Sequence, residues 1–276
     1  QVHRLQKLLL SSRNAKMLAV RKVTQDNQGR KTAGIDGVAS LSQVARLKLV
    51  EKMKLCEKSK PVRRIWIAKP GKEEKRPLGI PTMGERAKQA VVKMALEGEW
   101  EAKFEPNSYG FRPGRSAHDA IDAIHNNLSK KQMYVLEADI SGCFDNINHQ
   151  ALLKKLKTFS LLRRVIKGWL KAGVMENGTF YASESGTPQG RVISPLLANI
   201  ALHGLEAETK QSLLAELKIY QRGKGRHMRS ERVLKTISII RYADDFIVMH
   251  ESREIVEKAR SFIKEWLKQM GLELKG

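Results

Sequence analysis

Three aspartates could do chemistry together. The stretch 239-IIRYADDFIVMH-250 sets Asp244 and Asp245 side by side between two apolar, β-type runs, and 133-MYVLEADI-140 brings another such run to Asp139. Acidic pairs are common in turns, where each Asp bonds its own backbone. Three at the ends of neighbouring strands are different. Two unit charges ~4 Å apart repel by roughly 4 kcal/mol at an effective dielectric near 20. Such a cluster persists only if it is protonated or holds cations. Hard carboxylate oxygens suit Mg²⁺, which keeps waters and favours phosphate oxygens as further partners. Two such ions can activate a hydroxyl and stabilise a leaving pyrophosphate.

These side chains need elements to carry them. The apolar β-type runs predict a hairpin over 236–250 with the acidic pair at its tip, and a strand over 133–140. Upstream, residues 4–24 read as one basic amphipathic helix, with Leu5, Leu8, Leu9, Leu18 and Val23 near one stripe. A Gly-rich loop over 26–38 leads to a second basic helix over 41–58. The stretch 63-RRIWIAKPGKEEKRPLGIP-81 reads as two strands joined by a charged loop at Pro70 and Gly71. Helices are expected over 85–104, 117–129 and 148–158, the last capped by Asn148. A hairpin over 174–182 turns at Asn177-Gly178, and a long helix begins near Pro195. Segment 221–235, with six Lys/Arg and one Glu, reads as an inserted basic loop, and a helix over 252–270 follows the acidic hairpin. The mix predicts an α+β protein of two lobes, one of them built on a small antiparallel sheet.

Charge narrows the partner. The chain carries 51 Lys/Arg against 29 Asp/Glu, a net +22, and residues 1–76 alone hold 20 against 6. A field of that size favours a polyanion. No apolar run approaches the ~20 residues of a membrane span, so no membrane partner is expected. Cys56 and Cys143 lie too far apart for a metal or disulfide framework, which fits a reducing cytosol. His118 and His125 read as ordinary helix-face residues.

Four segments in order, FEPNSYGFRPGRSAHDAI, LEADISGCFDNINH, SGTPQGRVISPLLANIAL and IIRYADDFIV, resemble the reverse transcriptase core of bacterial group II intron-encoded proteins, from about Thr32 onward. The resemblance implies a right-hand polymerase fold with helix-rich fingers and a palm on a small antiparallel sheet. It implies RNA-directed DNA synthesis with Mg²⁺, and a maturase role that assists splicing and mobility of the intron. The implied partners are the intron RNA, an RNA template with a DNA primer, deoxynucleoside triphosphates and, through the ribonucleoprotein, target DNA, in a bacterial cytoplasm. Expected segments are a basic N-terminal extension over 1–60, fingers over 61–132 and a first palm strand region over 133–160. A fingers return with a template-side loop follows over 161–192, then palm over 193–276. The first residue is not Met and the last stretch, GLELKG, is strand-like, so we read the chain as part of a longer one that lacks its thumb.

Carried over by motif, Asp139 and Asp244 resemble the principal metal ligands, Asp245 the auxiliary carboxylate and Ile140 a backbone ligand. Phe144 matches the aromatic that excludes a ribose 2′-hydroxyl. Lys69 and Arg76 resemble the residues that grip the incoming triphosphate, a point charge and a bidentate fork. Gln189 and Gly190 match the loop under the nascent base pair, and Tyr109, Gly110, Phe111 and Arg112 a template-side support. One residue departs from the pattern: the family usually reads GTPQGG, and Arg191 replaces the last Gly. Its side chain is expected either to obstruct the loop or to grip a template phosphate. Two rival readings are a splicing cofactor without polymerase activity and a retron- or CRISPR-associated reverse transcriptase. The intact carboxylates with Lys69 and Arg76 argue against the first, the basic N-terminus and SYGFRPGRSAHDAI against the second.

Overall fold

The computed structural model describes residues 1–68, 71, 73–187, 189–224 and 236–275, with the side chains of 218–224 left aside. In chain order the helices and strands are α1 (Val2–Ser11), α2 (Arg13–Arg21), α3 (Gln43–Lys52), β1 (Val62–Ala68), β2 (Lys75–Ile80) and α4 (Met83–Glu101). Next come α5 (Ala117–Leu128), β3 (Tyr134–Asp139), the short α6 (Cys143–Asn146), α7 (His149–Leu156), α8 (Ser160–Leu170), β4 (Val174–Glu176) and β5 (Thr179–Tyr181). The last are α9 (Ser194–Leu202), α10 (Leu205–Lys224), β6 (Ser238–Tyr242), β7 (Asp245–His250) and α11 (Arg253–Gln269). Among the described residues no helix is long and apolar enough to cross a membrane.

The chain forms two compact units, one of residues 1–102 with 144–197 and one of residues 103–143 with 198–276. The division falls at other places than the sequence segments: 103–132 belongs with β3, and 144–160 with the first unit.

In the first unit a sheet of order β2-β1-β4-β5 is antiparallel except where β1 meets β4. The β4–β5 hairpin turns at Asn177 and Gly178, whose φ of 49° and 85° are the left-handed pair that a two-residue turn requires. Helices α1 and α2 pack on α4. The expected single helix over 4–24 is interrupted at Ser12, which is extended (φ −62°, ψ 123°) and caps α2 by accepting from the Ala15 N–H. That break resets the helical phase. Gln6, Leu10, Ala15, Ala19, Val20 and Val23 are buried, whereas Leu5, Leu8, Leu9 and Leu18 face outward, so of the expected stripe only Val23 reaches the core. The second basic helix stops at Lys52, because Met53 leaves helical geometry.

In the second unit the sheet order is β3-β7-β6, antiparallel throughout. Ala120 and Ile124 of α5 pack with Ile240 of β6 and Met249 of β7. Helix α11 packs on β7 and β3, burying Ile255, Ala259, Ile263 and Leu267 at the helical spacing of an amphipathic face. Helix α5 starts in a capping box, with Ser116 and Asp119 each accepting a backbone N–H of the other. The long helix expected from Pro195 divides at Gly204, whose φ is +95°. Most of the expected basic insertion, 225–235, lies outside the described residues.

Candidate active site

The carboxylates sit where two strands of the second unit run antiparallel. Asp139, the last residue of β3, is the register partner of Asp245, the first residue of β7. Asp244 lies in the two-residue turn that joins β6 to β7. Partial burial, then the charges of Asp244, Asp139 and Glu137, push the Asp245 carboxyl above its ordinary value, while Lys275 pulls it down. The Lys275 ammonium stands 3.4 Å from the Asp139 carboxylate, and its backbone N–H donates to the Asp139 carbonyl at 2.8 Å. Ile140 bridges to Leu274, flanked by that bond and by Ser141 N–H to Glu273 at 2.9 Å, so neither uses the Ile140 carbonyl. A cavity of about 550 Å³ is lined by Asp139, Asp245, Glu137, Arg260 and Lys275.

The donor set suits a hard cation: carboxylate oxygens from opposed strands, repelling one another and partly relieved by an ammonium. Among the described residues no three His, Cys, Asp or Glu side chains close into a ready metal cage.

The turn holding Asp244 is braced from beneath. Ala243 has φ +59°, a left-handed conformation that costs an L-residue roughly 1–2 kcal/mol. Arg241, only 3% exposed, donates Nη1 to the Ala243 carbonyl at 2.8 Å and to Asn199 Oδ1 at 3.1 Å, and Nη2 to Ser108 Oγ at 2.7 Å. Burial lowers its guanidinium to about 10, opposed chiefly by the Glu105 carboxylate, so it stays charged at neutral pH. Residues 107–109 pair alongside β6: Tyr109 N–H donates to the Arg241 carbonyl and Arg241 N–H to the Asn107 carbonyl, both at 2.9 Å. Gly110 lies so close that an added Cβ would stand 2.3 Å from the Ala243 nitrogen.

Arg112 is buried, donates to the carbonyls of Glu105 and Ser108, and covers the Phe104 ring. Tyr109, Gly110 and Arg112 therefore support the acidic turn, and only Phe111 leaves a largely exposed side chain. Sequence reasoning singled out neither Arg241 nor Asn199. A charged residue inside an apolar strand was the available signal for Arg241.

The remaining expected residues lie in the first unit. Phe144 and Gln189 line a cleft of about 260 Å³ with Arg64, Gly79, Asp145 and Gly186. Burial raises the Asp145 carboxyl and Arg64 opposes this. Arg64 and Asp145 were not foreseen, though Arg64 shares its face of β1 with Trp66 by simple alternation. Gly190, at φ +92°, approaches Gly79, where an added Cβ would meet the Gly79 oxygen at 3.1 Å. Gly79 N–H in turn donates to the Gln189 carbonyl at 2.7 Å. Arg76 is exposed on β2, opposite Ile67, and Lys69 falls outside the described residues. Arg191 is turned inward, 4% exposed, with Nη1 donating to the Trp169 carbonyl.

Comparison with known proteins identifies the family. Residues 67–276 fit the family model described as "Reverse transcriptase (RNA-dependent DNA polymerase)", and residues 1–53 the one described as "N-terminal domain of reverse transcriptase". The chain belongs to the reverse transcriptase family. It is 34% identical over 270 residues to the protein YkfC of Escherichia coli K12, covering 89% of this chain and 71% of that protein. It is 45% identical over 151 residues to the group II intron-encoded protein LtrA of Lactococcus lactis, 53% of this chain and a 25% share of LtrA, which agrees with the resemblance read from the motifs. The match thus spans only about a quarter of LtrA. A solved apo telomerase from Candida tropicalis shares the fold at a TM-score of 0.54 and 16% identity, over 78% of this chain and 48% of that one.

Proposed function

We propose that the chain carries the RNA-directed DNA polymerase of a group II intron, in a protein that also acts as maturase for its intron RNA. The observation that carries this reading is the register of β3 on β7, which opposes Asp139 to Asp245 beside the strained turn of Asp244. On this reading the second unit is the palm and the first the fingers. Asp139, Asp244 and Asp245, with the Ile140 carbonyl, would hold Mg²⁺. When bound, the ions supply charge for hydroxyl activation and for the departing pyrophosphate.

The protein's own groups do the rest. Arg241 and Gly110 fix the turn, so that Asp244 is presented without reorganisation. Phe144 and Gln189 line the cleft proposed for the incoming deoxynucleotide, where the Phe144 ring fills the space of a 2′-hydroxyl. Lys69 and Arg76 grip the triphosphate. The basic field of the chain, net +22, attracts intron RNA and an RNA template with its DNA primer, with target DNA reached through the ribonucleoprotein in a bacterial cytoplasm.

Asp244→Asn removes a ligand charge at nearly constant volume. In the full-length protein it is expected to abolish primer extension on an RNA template, at least about 10³-fold, while intron splicing continues. Primer extension at the parent rate would overturn the carboxylate assignment. A parent protein that promotes splicing but extends no primer would favour the pure splicing cofactor.

A further inference from the structure

The loop over 186–192 is held by more ties than its length demands. At its start, Gly186 N–H donates to the Ile147 carbonyl at 2.8 Å and Thr187 N–H to the Phe144 carbonyl at 2.6 Å. In its middle, the Gln189 carbonyl accepts from Gly79 N–H. At its end, Val192 N–H donates to Gln89 Oε1 at 3.0 Å, and the Arg191 guanidinium reaches the Trp169 carbonyl. The first two ties fix the loop to the segment that carries Phe144. The last two fix it to α4 and α8.

Arg191 is the unusual member. Trp169 lies in the last turn of α8, where carbonyls lack helical partners and the helix end is partially negative, so a cation there is favoured. The same carbonyl also accepts from the backbone N–H groups of Lys171 and, at 3.2 Å, Ala172. The Glu85 carboxylate in α4 offsets the buried charge from a second side, and is itself held by Trp169 Nε1 at 2.7 Å and Lys88 Nζ at 3.3 Å. The guanidinium thus joins α4, the end of α8 and the loop in one buried polar cluster.

A surface-seeking Arg would not pay this desolvation without a structural return. The residue sits between Gly190, which approaches the Gly79 backbone, and Val192, which is bonded to α4. Rotation of the peptide at 190–191 would carry Gln189 and Gly190 away from Gly79. Among the described residues Nε and Nη2 of Arg191 are buried without a hydrogen-bond partner, so the desolvation is offset by the Trp169 bond and the Glu85 charge.

We infer that Arg191 is a positioning residue: by anchoring to the end of α8 it sets Gln189 and Gly190 against Gly79 at the nucleotide cleft. This rests on the reading of that cleft as the deoxynucleotide site. It reverses the expectation that the side chain obstructs the loop, and predicts loss rather than gain when it is removed.

The test uses the full-length protein with Arg191→Gln, Arg191→Lys and Arg191→Gly. Two readouts are combined: amide hydrogen exchange, and steady-state primer extension with deoxynucleotide varied. Expected for Arg191→Gln and Arg191→Gly is faster exchange confined to the Gly79 and Val192 amides. It should be accompanied by a rise of about tenfold in the KM for deoxynucleotide, with kcat within about twofold. Arg191→Lys, which keeps the cation at the helix end, should recover most of both. Unchanged exchange at those two amides overturns the anchor. Faster exchange throughout the unit, with kcat and KM falling together, overturns it in favour of general destabilisation. Local loosening with an unchanged KM overturns the positioning role. A parent protein without DNA synthesis would defeat the reading of the cleft instead, and exchange alone would then decide whether the anchor exists.

Discussion

Two buried arginines serve two units in different ways. Arg241 in the second unit and Arg191 in the first both have guanidinium groups that burial lowers to about 10. Arg241 spreads its donors over Asn199, Ala243 and Ser108. Among the described residues Arg191 makes one side-chain hydrogen bond, to Trp169, and its Nε and Nη2 make none. A fully bonded buried cation has one low-energy arrangement, and removing it strands several polar groups at once. A singly bonded one tethers a loop without locking everything around it. The acidic turn is accordingly fixed, whereas the loop over 186–192 depends on a spread of separate ties.

The contrast is sharpest if Arg241 is removed. Arg241→Met keeps much of the volume but leaves Ser108, Asn199, the Ala243 carbonyl and the nearby Glu105 charge without their cation. Losing one partner of a buried charged network costs about 3–5 kcal/mol. We expect denaturant unfolding of the full-length protein to show a loss in that range, and DNA synthesis to fall even at temperatures where the protein stays folded. A loss below about 1 kcal/mol would place Arg241 among ordinary surface-like substitutions, and the two arginines would then not differ as described.

Gly110→Ala probes the same brace from its other side. The added methyl meets backbone rather than a flexible side chain, 2.3 Å from the Ala243 nitrogen and 2.9 Å from its Cα. Either the 107–110 segment or the turn must shift, at a cost of about 1–3 kcal/mol. The useful readout is Mg²⁺-dependent thermal stabilisation. A displaced Asp244 should weaken it, with a larger proportional effect than on Tm measured in EDTA. Equal Mg²⁺ stabilisation in parent and variant would separate Gly110 from the carboxylates.

Much of the second unit was legible because its signals are local. The apolar runs on either side of the acidic pair in IIRYADDFIV are buried at most positions of β6 and β7 and mark both strands. In the first unit, Asn177-Gly178 and Asn148 likewise announced a turn and a cap through their φ preference or side chain. The N-terminal stripe misled for a reason that is also local. Ser12 breaks the helix, and the true contact face uses small residues such as Ala15 and Ala19, so the larger leucines marked the outward side. Helix α8 was overlooked although Leu162, Val165, Ile166, Trp169 and Leu170 follow helical spacing. The inward turn of Arg191 had no local signal, because its reasons lie at Trp169 and Glu85, 22 and 106 positions earlier in the chain.

The smallest effect distinguishes the two anchors by pH. The loop of the first unit has a titratable tie that the acidic turn lacks: His149 Nε2 bonds the Gly186 carbonyl at 2.7 Å, and Nδ1 is buried without a protein partner. Burial holds this imidazole below its ordinary value, reinforced by Lys171 and Arg191 and opposed by the carbonyls of Gly186 and Ser185. The sign follows from linkage. The unfolded chain takes up a proton at about pH 6.5 while the folded one does not, so stability falls as pH drops from there towards the lowered folded value. His149→Gln keeps a donor for Gly186 and removes the titration. Its urea midpoint should lie below that of the parent at pH 7, and should decline less between pH 7 and pH 5. His250, also depressed by burial, titrates alike in both proteins and cancels from the difference. Parallel declines would show that His149 carries no pH dependence.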